Sequence, residues 1–231
     1  MIWYFLVEYM EELQKIKIIY EDNHLLVVEK PVNMPVCEDE SKDIDLLTSL
    51  KKYLKDKYHK PGNVYLGLVH RLDRPVGGVM VFAKTSKAAS RLSKQVQNYR
   101  LGKVYVAVVE GKVPDADKWI DYLVKDTRNN QSYVTDKEHG KEAILSFKRL
   151  AYKDNKSMVE IYLETGRSHQ IRVQFSSRGF PLVGDAKYNL NSDNKTSVAL
   201  FAKKLSFEHP VTKEKLIFEL DIPKRYPFNL F

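Results

Sequence analysis

Short runs of β-branched and other apolar residues recur from one end of this chain to the other, and they outnumber the segments with helical periodicity. Such runs predict strands, here over residues 15–20, 25–28, 64–69, 79–83, 104–109, 132–135, 143–150, 158–163, 200–207 and 216–220. Few of them alternate with helical segments in the strand–helix–strand order that builds a parallel sheet. The pattern therefore predicts an α+β fold, in which helices pack on a largely antiparallel sheet.

Amphipathic helices are predicted where apolar residues recur at helical spacing. The first runs from Asp43 to the break at Pro61-Gly62, and a second begins near Ser86. A short helix is predicted from about Ser168 to Ser177, with the Ser168 side chain as its N-terminal cap. In the second helix, the residues expected to face inward are Ala88, Leu92, Val96 and Tyr99.

The composition is that of an ordinary globular protein, with 43% hydrophobic and 29% charged residues among 231. No Gly/Ser-rich linker divides the chain, so we expect one domain over residues 15–231 behind an N-terminal extension of residues 1–14. The apolar start of that extension is too short to span a membrane and lacks the features of a signal peptide. The single cysteine, Cys37, excludes an internal disulfide framework and a thiolate metal cluster, as expected for a cytoplasmic protein.

Lysine and arginine outnumber aspartate and glutamate by 38 to 30, which gives a net charge of +8 and favours a polyanionic partner such as nucleic acid. The stretch from Lys84 to Lys103 contains no acidic residue. Its predicted helix carries Lys87, Arg91 and Lys94 on the outer face. Two interpretations remain open, a solvated helix face and a stripe of cations that contacts RNA phosphates.

A loop between two predicted strands holds the sequence His70-Arg71-Leu72-Asp73-Arg74. An acidic residue with an arginine on either side is kept ionised by the nearby positive charge, which suits a catalytic carboxylate. Alternatively, Asp73 is an ordinary turn residue before Pro75 and Gly77-Gly78. The residues alone leave both interpretations open.

A second polar segment, Thr165–Gln174, opens the predicted short helix. Arg167 and Arg172 are five residues apart and point to different sides, whereas His169 and Arg172 are three apart and share a face. An arginine beside the apolar stripe of this helix needs a carboxylate partner, because an unpaired buried charge is costly. We expect that partner to be Asp73, the alternative being a surface arginine in water.

Tyr105 alternates with β-branched residues in a predicted strand. A tyrosine in this position usually packs in the core with its hydroxyl hydrogen-bonded. A site for a flipped nucleobase would need the same aromatic platform, so both roles are open.

Several other chemistries lack their motifs in this sequence. There is no phosphate loop or dinucleotide-binding motif, no nucleophile elbow and no second marked carboxylate of a glycosidase. The histidines are scattered, and His70 and His169 stand beside arginines, which disfavours a metal site. One acidic residue with arginine neighbours remains as the candidate for catalysis.

Segments in order along the chain resemble the motifs of the RluA-type pseudouridine synthases, and the similarity is collinear from about Ile18 to Asp221. The longest, Gly67–Thr85, is similar to the family's catalytic motif and includes His-Arg-Leu-Asp. The other matching segments are Ile19–Pro31, Lys103–Gly111, Leu163–Gln174, Gly184–Tyr188 and Leu205–Pro210.

The resemblance implies an isomerase that converts a uridine in folded ribosomal or transfer RNA into pseudouridine, without a cofactor or a metal. Asp73 takes the position of the catalytic aspartate, which acts on a flipped uridine by attacking C1′ or by taking a proton from C2′. By the same likeness Tyr105 stacks on the uracil and relays the C5 proton, Arg71 enters the space that the base leaves, and Arg172 pairs with Asp73. The further substrate contacts expected around them are His70, Arg167, His169, Gln170 and Ile171.

The family fold implied by the resemblance is a mixed, mostly antiparallel sheet flanked by helices, with a catalytic cleft across its middle. This chain departs from the family at Val76-Gly77-Gly78, where many relatives have Thr-Ser-Gly, so contacts made by those hydroxyls are missing. An S4-type RNA-binding domain, which many relatives carry, is not expected before residue 15. A monomer is the expected state, and the alternative functions are a non-catalytic RNA-binding protein and a ribosome-assembly factor.

Overall fold

The structure is a computed structural model that describes residues 16–192 and 196–231; the predicted extension over residues 1–14 lies outside the described residues. The strands are β1 (Lys17–Glu21), β2 (Leu25–Lys30), β3 (Gly67–Leu68), β4 (Gly77–Ala83), β5 (Gly102–Glu110), β6 (Ala116–Asp126), β7 (Gln131–Thr135), β8 (Lys141–Lys153), β9 (Lys156–Leu163), β10 (Leu200–Glu208) and β11 (Lys215–Glu219). The helices are α1 (Leu46–Lys57), α2 (Ser86–Gln97) and α3 (Gln170–Ser176), and a 3₁₀ turn spans Phe228–Leu230. These elements confirm the predicted α+β class.

Contacts divide the chain into two compact units where the sequence predicts one domain. The first unit runs to Leu101 and includes Leu205–Glu219. The second consists of Gly102–Lys204 and Leu220–Phe231. Strand β10 contributes residues to both, and each unit is described by itself below.

In the first unit, β2 pairs with β1 and with β4, and β3 also pairs with β4, all antiparallel. Strand β4 is buried along its whole length, which explains its unbroken apolar sequence, since a strand covered on both faces shows no alternation. Strand β3 is shorter than the predicted strand over residues 64–69 and contains only Gly67 and Leu68.

The helices of the first unit begin at side-chain caps that the sequence supplies. Asp45 accepts the backbone N–H of Thr48 at the start of α1, and Thr85 accepts that of Ala88 at the start of α2. Leu50 and Leu54 of α1 and Ala88 and Leu92 of α2 are buried, as the spacing predicts, and Leu46 is buried as well.

The predicted inward position of Tyr99 is wrong. Helix α2 ends at Gln97, and Tyr99 follows in a left-handed conformation with φ of 55°. Its side chain is 59% exposed, because the helical periodicity that would turn it inward stops before it. Val96, the last apolar residue within the helix, is partly buried.

The second unit is an antiparallel meander in which β9 pairs with β5 and β8, and β6 pairs with β8 and β7. Tyr105, Ile161 and Phe147 lie side by side across β5, β9 and β8, so their side chains share one sheet face. Helix α3 covers this face through Phe175, whose ring lies 5.2 Å from that of Phe147 and 4.7 Å from that of Trp119. Tyr105 and α3 therefore belong to the same side of the sheet.

The sequence pattern does not predict β6. Trp119 and Leu123 are its buried residues, and their spacing of four resembles helical periodicity. Lys118, Asp121 and Lys125 interrupt the apolar run. The strand forms because β7 and β8 hydrogen-bond to its backbone on both sides. The residues of β6 alone do not indicate these partners.

Glu21, at the end of β1, gathers hydrogen bonds from α1 and from the residue that follows β4. Its carboxylate accepts from Lys57 at 2.7 Å, Lys84 at 2.8 Å, Tyr53 at 3.0 Å and Tyr58 at 2.6 Å. Burial raises the pKa of this carboxyl, but the hydrogen bonds outweigh burial and lower the pKa to about 2. The ionised carboxylate thus joins β1, α1 and β4.

Glu21→Gln is expected to lower the free energy of unfolding at pH 7 by about 1–3 kcal/mol, because it removes charge-assisted hydrogen bonds. The pKa of about 2 in the folded protein lies below the ordinary value of 4.5. The stabilisation is therefore present above pH 4.5 and is lost as the pH falls towards 2. Urea unfolding at a series of pH values measures the difference, with the exposed Glu40→Gln as control. An equal difference at pH 7 and pH 2 would contradict this account.

No helix among the described residues is long and apolar enough to cross a membrane.

Candidate active site

The loop from His70 to Val76 joins β3 to β4 in the first unit, and hydrogen bonds fix both of its ends. His70 accepts the backbone N–H of Val81 on Nε2 at 3.1 Å, so this nitrogen carries no proton. The carbonyl of Asp73 accepts the N–H of Val76 at 3.0 Å, which closes a tight turn before Gly77. Asp73 itself is half-buried. The turn predicted here is present, and it carries the candidate carboxylate.

A buried lysine lies beneath this loop. Lys30, the last residue of β2, is 1% exposed, and its ammonium donates to the carbonyls of Pro31 at 2.9 Å and Arg74 at 3.0 Å. Burial lowers the pKa of Lys30, the Asp73 carboxylate raises it and Arg74 lowers it, with a result of about 7. Lys30 therefore holds the backbone next to Asp73 and lies within electrostatic reach of its carboxylate.

The two arginines beside Asp73 have different surroundings. Arg74 binds the carbonyl of Asn33 at 3.2 Å and forms ion pairs with Asp39 and Asp43. Arg71 is exposed. The sequence argument assigned both arginines to Asp73, whereas the structure gives Arg74 acidic partners of its own.

In the second unit, Tyr105 is 8% exposed on β5. Lys103 lies two residues before it on the same face of the strand and donates to the carbonyl of Thr165 at 3.2 Å. Burial lowers the pKa of Lys103 to about 8, and the charge of Arg167 acts in the same direction. Tyr105 is thus flanked by a cation that also holds the turn before α3.

Arg172, on α3, forms a buried ion pair within the second unit. Its Nε and Nη2 each donate to the Asp185 carboxylate at 2.7 Å, and the two side chains are 6% and 0% exposed. The guanidinium also lies over the ring of Tyr188, 5.1 Å from its centroid. The burial predicted for Arg172 is confirmed. Asp185 is a partner that the sequence argument missed. The pairing of Arg172 with Asp73 remains a prediction, and it would leave Nε and Nη2 bound to Asp185.

Asp185 lies in the Gly184–Tyr188 segment, whose resemblance to a family signature was the only sequence signal for it. Gly184 has φ of 73°, and a Cβ there would lie 2.5 Å from the carbonyl oxygen of Thr196. Only glycine fits this turn. The Asp185 carboxylate also accepts the backbone N–H groups of Lys187 and Tyr188, so the segment folds around it.

The predicted cap of the short helix is wrong. Helix α3 begins at Gln170, and the capping residue is His169, with φ of 53° and no side-chain cap hydrogen bond. The Gln170 side chain instead holds the turn before the helix, since its Oε1 accepts the Arg167 N–H at 3.0 Å and the Thr165 hydroxyl at 2.8 Å. The helix therefore starts two residues later than predicted.

The remaining predicted contacts fall in the same turn. Arg167 donates from Nε to the carbonyl of Glu142 at 2.8 Å. Gln170 and Ile171 are 3% and 4% exposed. His169 is half-buried, and its Nδ1 lies 2.8 Å from the hydroxyl of Tyr188.

The structure brings His70, Arg71 and Asp73 together in the first unit, and Tyr105, Arg167, His169 and Arg172 in the second. Within residues 16–192 and 196–231, no group of three or more His, Cys, Asp or Glu side chains could hold a metal ion. The chemistry available to these residues is that of a carboxylate, a phenol and several cationic donors.

A family model described as RNA pseudouridylate synthase matches residues 24–177, which include Asp73, Tyr105 and Arg172. This chain belongs to that family. It is 34% identical over 215 residues to an uncharacterized RNA pseudouridine synthase, YhcT, of Bacillus subtilis, covering 92% of this chain and 70% of the relative. It is 33% identical over 222 residues to the ribosomal large subunit pseudouridine synthase C of Buchnera aphidicola, covering 92% and 68%.

The fold of this pseudouridine synthase is also that of solved members. Human RNA pseudouridylate synthase domain containing 4 superposes with a TM-score of 0.79 at 21% identity, covering 98% of this chain and 96% of that one. The human domain containing 1 gives a TM-score of 0.73 at 22% identity. The predicted fold is thus confirmed, and the protein is an isomerase of the pseudouridine synthase class.

Proposed function

We propose that this synthase isomerises a uridine in structured RNA, with Asp73 as the catalytic carboxylate. The observation that carries the proposal is the construction of the Asp73 turn. Its carbonyl is bound by Val76, the backbone beside it is held by the buried Lys30, and the loop is anchored through His70. A turn fixed in this way holds the backbone of Asp73 in one position, from which its side chain can meet the RNA.

The reaction is an internal rearrangement, so no atom is gained or lost. The C1′–N1 glycosidic bond breaks, the uracil turns, and a C1′–C5 bond forms. The proton on C5 leaves, and N1 takes up a proton. Asp73 begins this sequence in one of two ways. Either it attacks C1′, and the ester so formed breaks when C5 bonds to C1′, or it removes the C2′ proton and returns it to C2′ at the end. Tyr105 stacks on the uracil and relays the proton from C5.

The cationic residues serve the same uridine in this proposal. Arg172, already held by Asp185, is the proposed partner of the Asp73 carboxylate. Arg71 is exposed and can enter the RNA stack where the base has left, which offsets part of the flipping cost of about a few kcal/mol. His70, Arg167, His169, Gln170 and Ile171 form the surrounding substrate contacts.

The favoured substrate is ribosomal RNA, and transfer RNA is the alternative. Relatives in Buchnera aphidicola and Zymomonas mobilis are named ribosomal large subunit pseudouridine synthases, which supports the first choice. A cytoplasmic location and a monomeric state accompany the proposal as predictions.

Mapping of pseudouridine in total cellular RNA tests the function and identifies the substrate. Carbodiimide-dependent reverse-transcription stops are compared between cells with the gene, without it, and with Asp73→Asn. A site lost in both altered strains supports the proposal and shows which RNA carries it. An unchanged map, repeated with purified enzyme on transcribed ribosomal and transfer RNA, would reject it in favour of the RNA-binding alternative.

The outer face of α2 is proposed to contact RNA phosphates. Lys87 and Lys94 are exposed, whereas Arg91 donates from Nη1 to the carbonyl of Pro210 at 2.7 Å. Arg91 therefore also anchors the segment after β10, and its removal would disturb the first unit. RNA contact is therefore tested with the two lysines alone, because their replacement leaves the Arg91 hydrogen bond intact.

Lys87→Gln together with Lys94→Gln is expected to weaken RNA binding and to reduce the slope of log K against log salt by about 1.5, because each lost phosphate contact lowers it by about 0.7–0.9. The turnover of saturated enzyme should not change. Lys137→Gln with Lys224→Gln, also exposed, removes the same charge elsewhere and serves as control. Equal slopes for the two pairs would show that the α2 lysines only face solvent.

A further inference from the structure

We propose that Tyr188 is a positioning residue that fixes the imidazole of His169 with its proton on Nε2, so that His169 meets the RNA as a hydrogen-bond donor. The inference rests on the proposed function, because it assigns a manner of substrate contact to His169. It starts from the hydroxyl of Tyr188, which lies 2.7 Å from the backbone nitrogen of Ser132 and 2.8 Å from Nδ1 of His169.

The backbone N–H of Ser132 can only donate, so the Tyr188 oxygen accepts from it. The proposal directs the proton of the phenol to His169, whose Nδ1 lies 2.8 Å away and accepts it. A neutral imidazole that accepts on Nδ1 carries its proton on Nε2. In this state His169 can donate to an oxygen of RNA, and it cannot take a proton at Nε2.

His169 also has an unusual backbone conformation. His169 occupies the capping position of α3 with φ of 53° and makes no capping hydrogen bond. A left-handed conformation costs a residue other than glycine stability, and a serine or aspartate cap would stabilise the helix. This position has neither residue. The histidine side chain that stands there lies against the Tyr188 hydroxyl instead of capping the helix.

The same tyrosine supports Arg172, the neighbour of His169 on the face of α3. The Arg172 guanidinium lies over the Tyr188 ring, and its carboxylate partner Asp185 accepts the Tyr188 backbone N–H at 3.3 Å. The ring and the backbone of Tyr188 thus hold Arg172, while its hydroxyl orients His169. Tyr188→Phe separates the two roles, because it keeps the ring and removes only the hydroxyl.

The first measurement is the tautomer of His169, read from ¹⁵N NMR of histidine-labelled protein and assigned with His169→Gln. The wild-type protein should show a protonated Nε2 and a bare Nδ1. Tyr188→Phe should shift both nitrogens towards a mixture of tautomers, whereas Tyr152→Phe, an exposed tyrosine in the same unit, should leave them unchanged. A purely structural role for Tyr188 would lower thermal stability without moving these resonances. A proton on Nδ1 in the wild type would overturn the proposal.

The second measurement is kcat/KM for pseudouridine formation in the RNA identified above. Tyr188→Phe should reduce it by about 3- to 10-fold, the effect of one misdirected hydrogen bond. His169→Gln places an amide N–H near the position of Nε2 and should retain more activity than His169→Asn, whose amide lies near Nδ1. Equal activity of all variants would overturn the donor role, while a wild-type enzyme inactive on every RNA would reject the proposed function and leave the NMR result standing.

Discussion

Asp73→Asn is expected to lower kcat for pseudouridine formation by about 10⁴-fold or more, the upper range for a single acid–base group. Asparagine has nearly the same size, and the turn is closed by the backbone carbonyl of Asp73, so the fold should not change. The amide, however, can neither attack C1′ nor take the C2′ proton. Single-turnover assays on the mapped RNA, with release of tritium from C5-labelled uridine, measure the rate.

Binding and catalysis should separate in this variant. Its dissociation constant for RNA should stay within about threefold of the wild type, since the carboxylate makes a small part of a contact dominated by phosphates. The exposed Asp56→Asn on α1 removes the same charge elsewhere and serves as the matched control. If Asp73→Asn kept more than about one tenth of the wild-type rate, the loss of rate would be smaller than an acid–base role requires. That result would exclude Asp73 as the catalytic carboxylate.

Arg172→Met is expected to lower the free energy of unfolding by about 3–5 kcal/mol, because it leaves the Asp185 carboxylate buried without its partner. Asp185 is fully buried, so water cannot take the place of the guanidinium. For a chain of this size the melting temperature should fall by roughly 10 °C. Urea unfolding of the two proteins gives the free-energy difference directly.

The double variant Arg172→Met, Asp185→Asn tests the cause. It removes both charges, and the asparagine oxygen can still accept the N–H groups of Lys187 and Tyr188, so it should recover most of the lost stability while remaining inactive. Lys118→Met, which breaks the exposed pair with Glu164, should cost no more than about 1 kcal/mol. If Arg172→Met proved as mild as Lys118→Met, the pair with Asp185 would not be a structural support of α3.

Local patterns in the sequence were enough to predict much of the fold. The apolar runs of β2 and β4 predict strands because their side chains need burial on both faces. The helical spacing of apolar residues predicts α1 and α2, because a helix that packs on a sheet buries one of its faces. The same logic fails for β6, whose strand state depends on β7 and β8, and for Tyr99, which comes after the helix has ended.

The candidate site divides in the same way. The sequence by itself determined that Asp73 lies in a turn between strands and that the motifs around it and Arg172 resemble those of a pseudouridine synthase. It favoured a buried Arg172 with a carboxylate partner over a surface arginine in water. These conclusions depend on residues close together in the chain or on family motifs read in order.

Only the tertiary structure decided which groups hold these residues. Lys30 reaches the Arg74 carbonyl across 44 positions of the chain, and Arg172 finds Asp185 13 positions away. The His169 side chain makes no capping hydrogen bond and contacts the hydroxyl of Tyr188. Each partner is selected by burial, because a charge or polar group removed from water must bind whatever the fold brings beside it. The spacing of residues along the sequence does not predict which partner will lie beside a buried group.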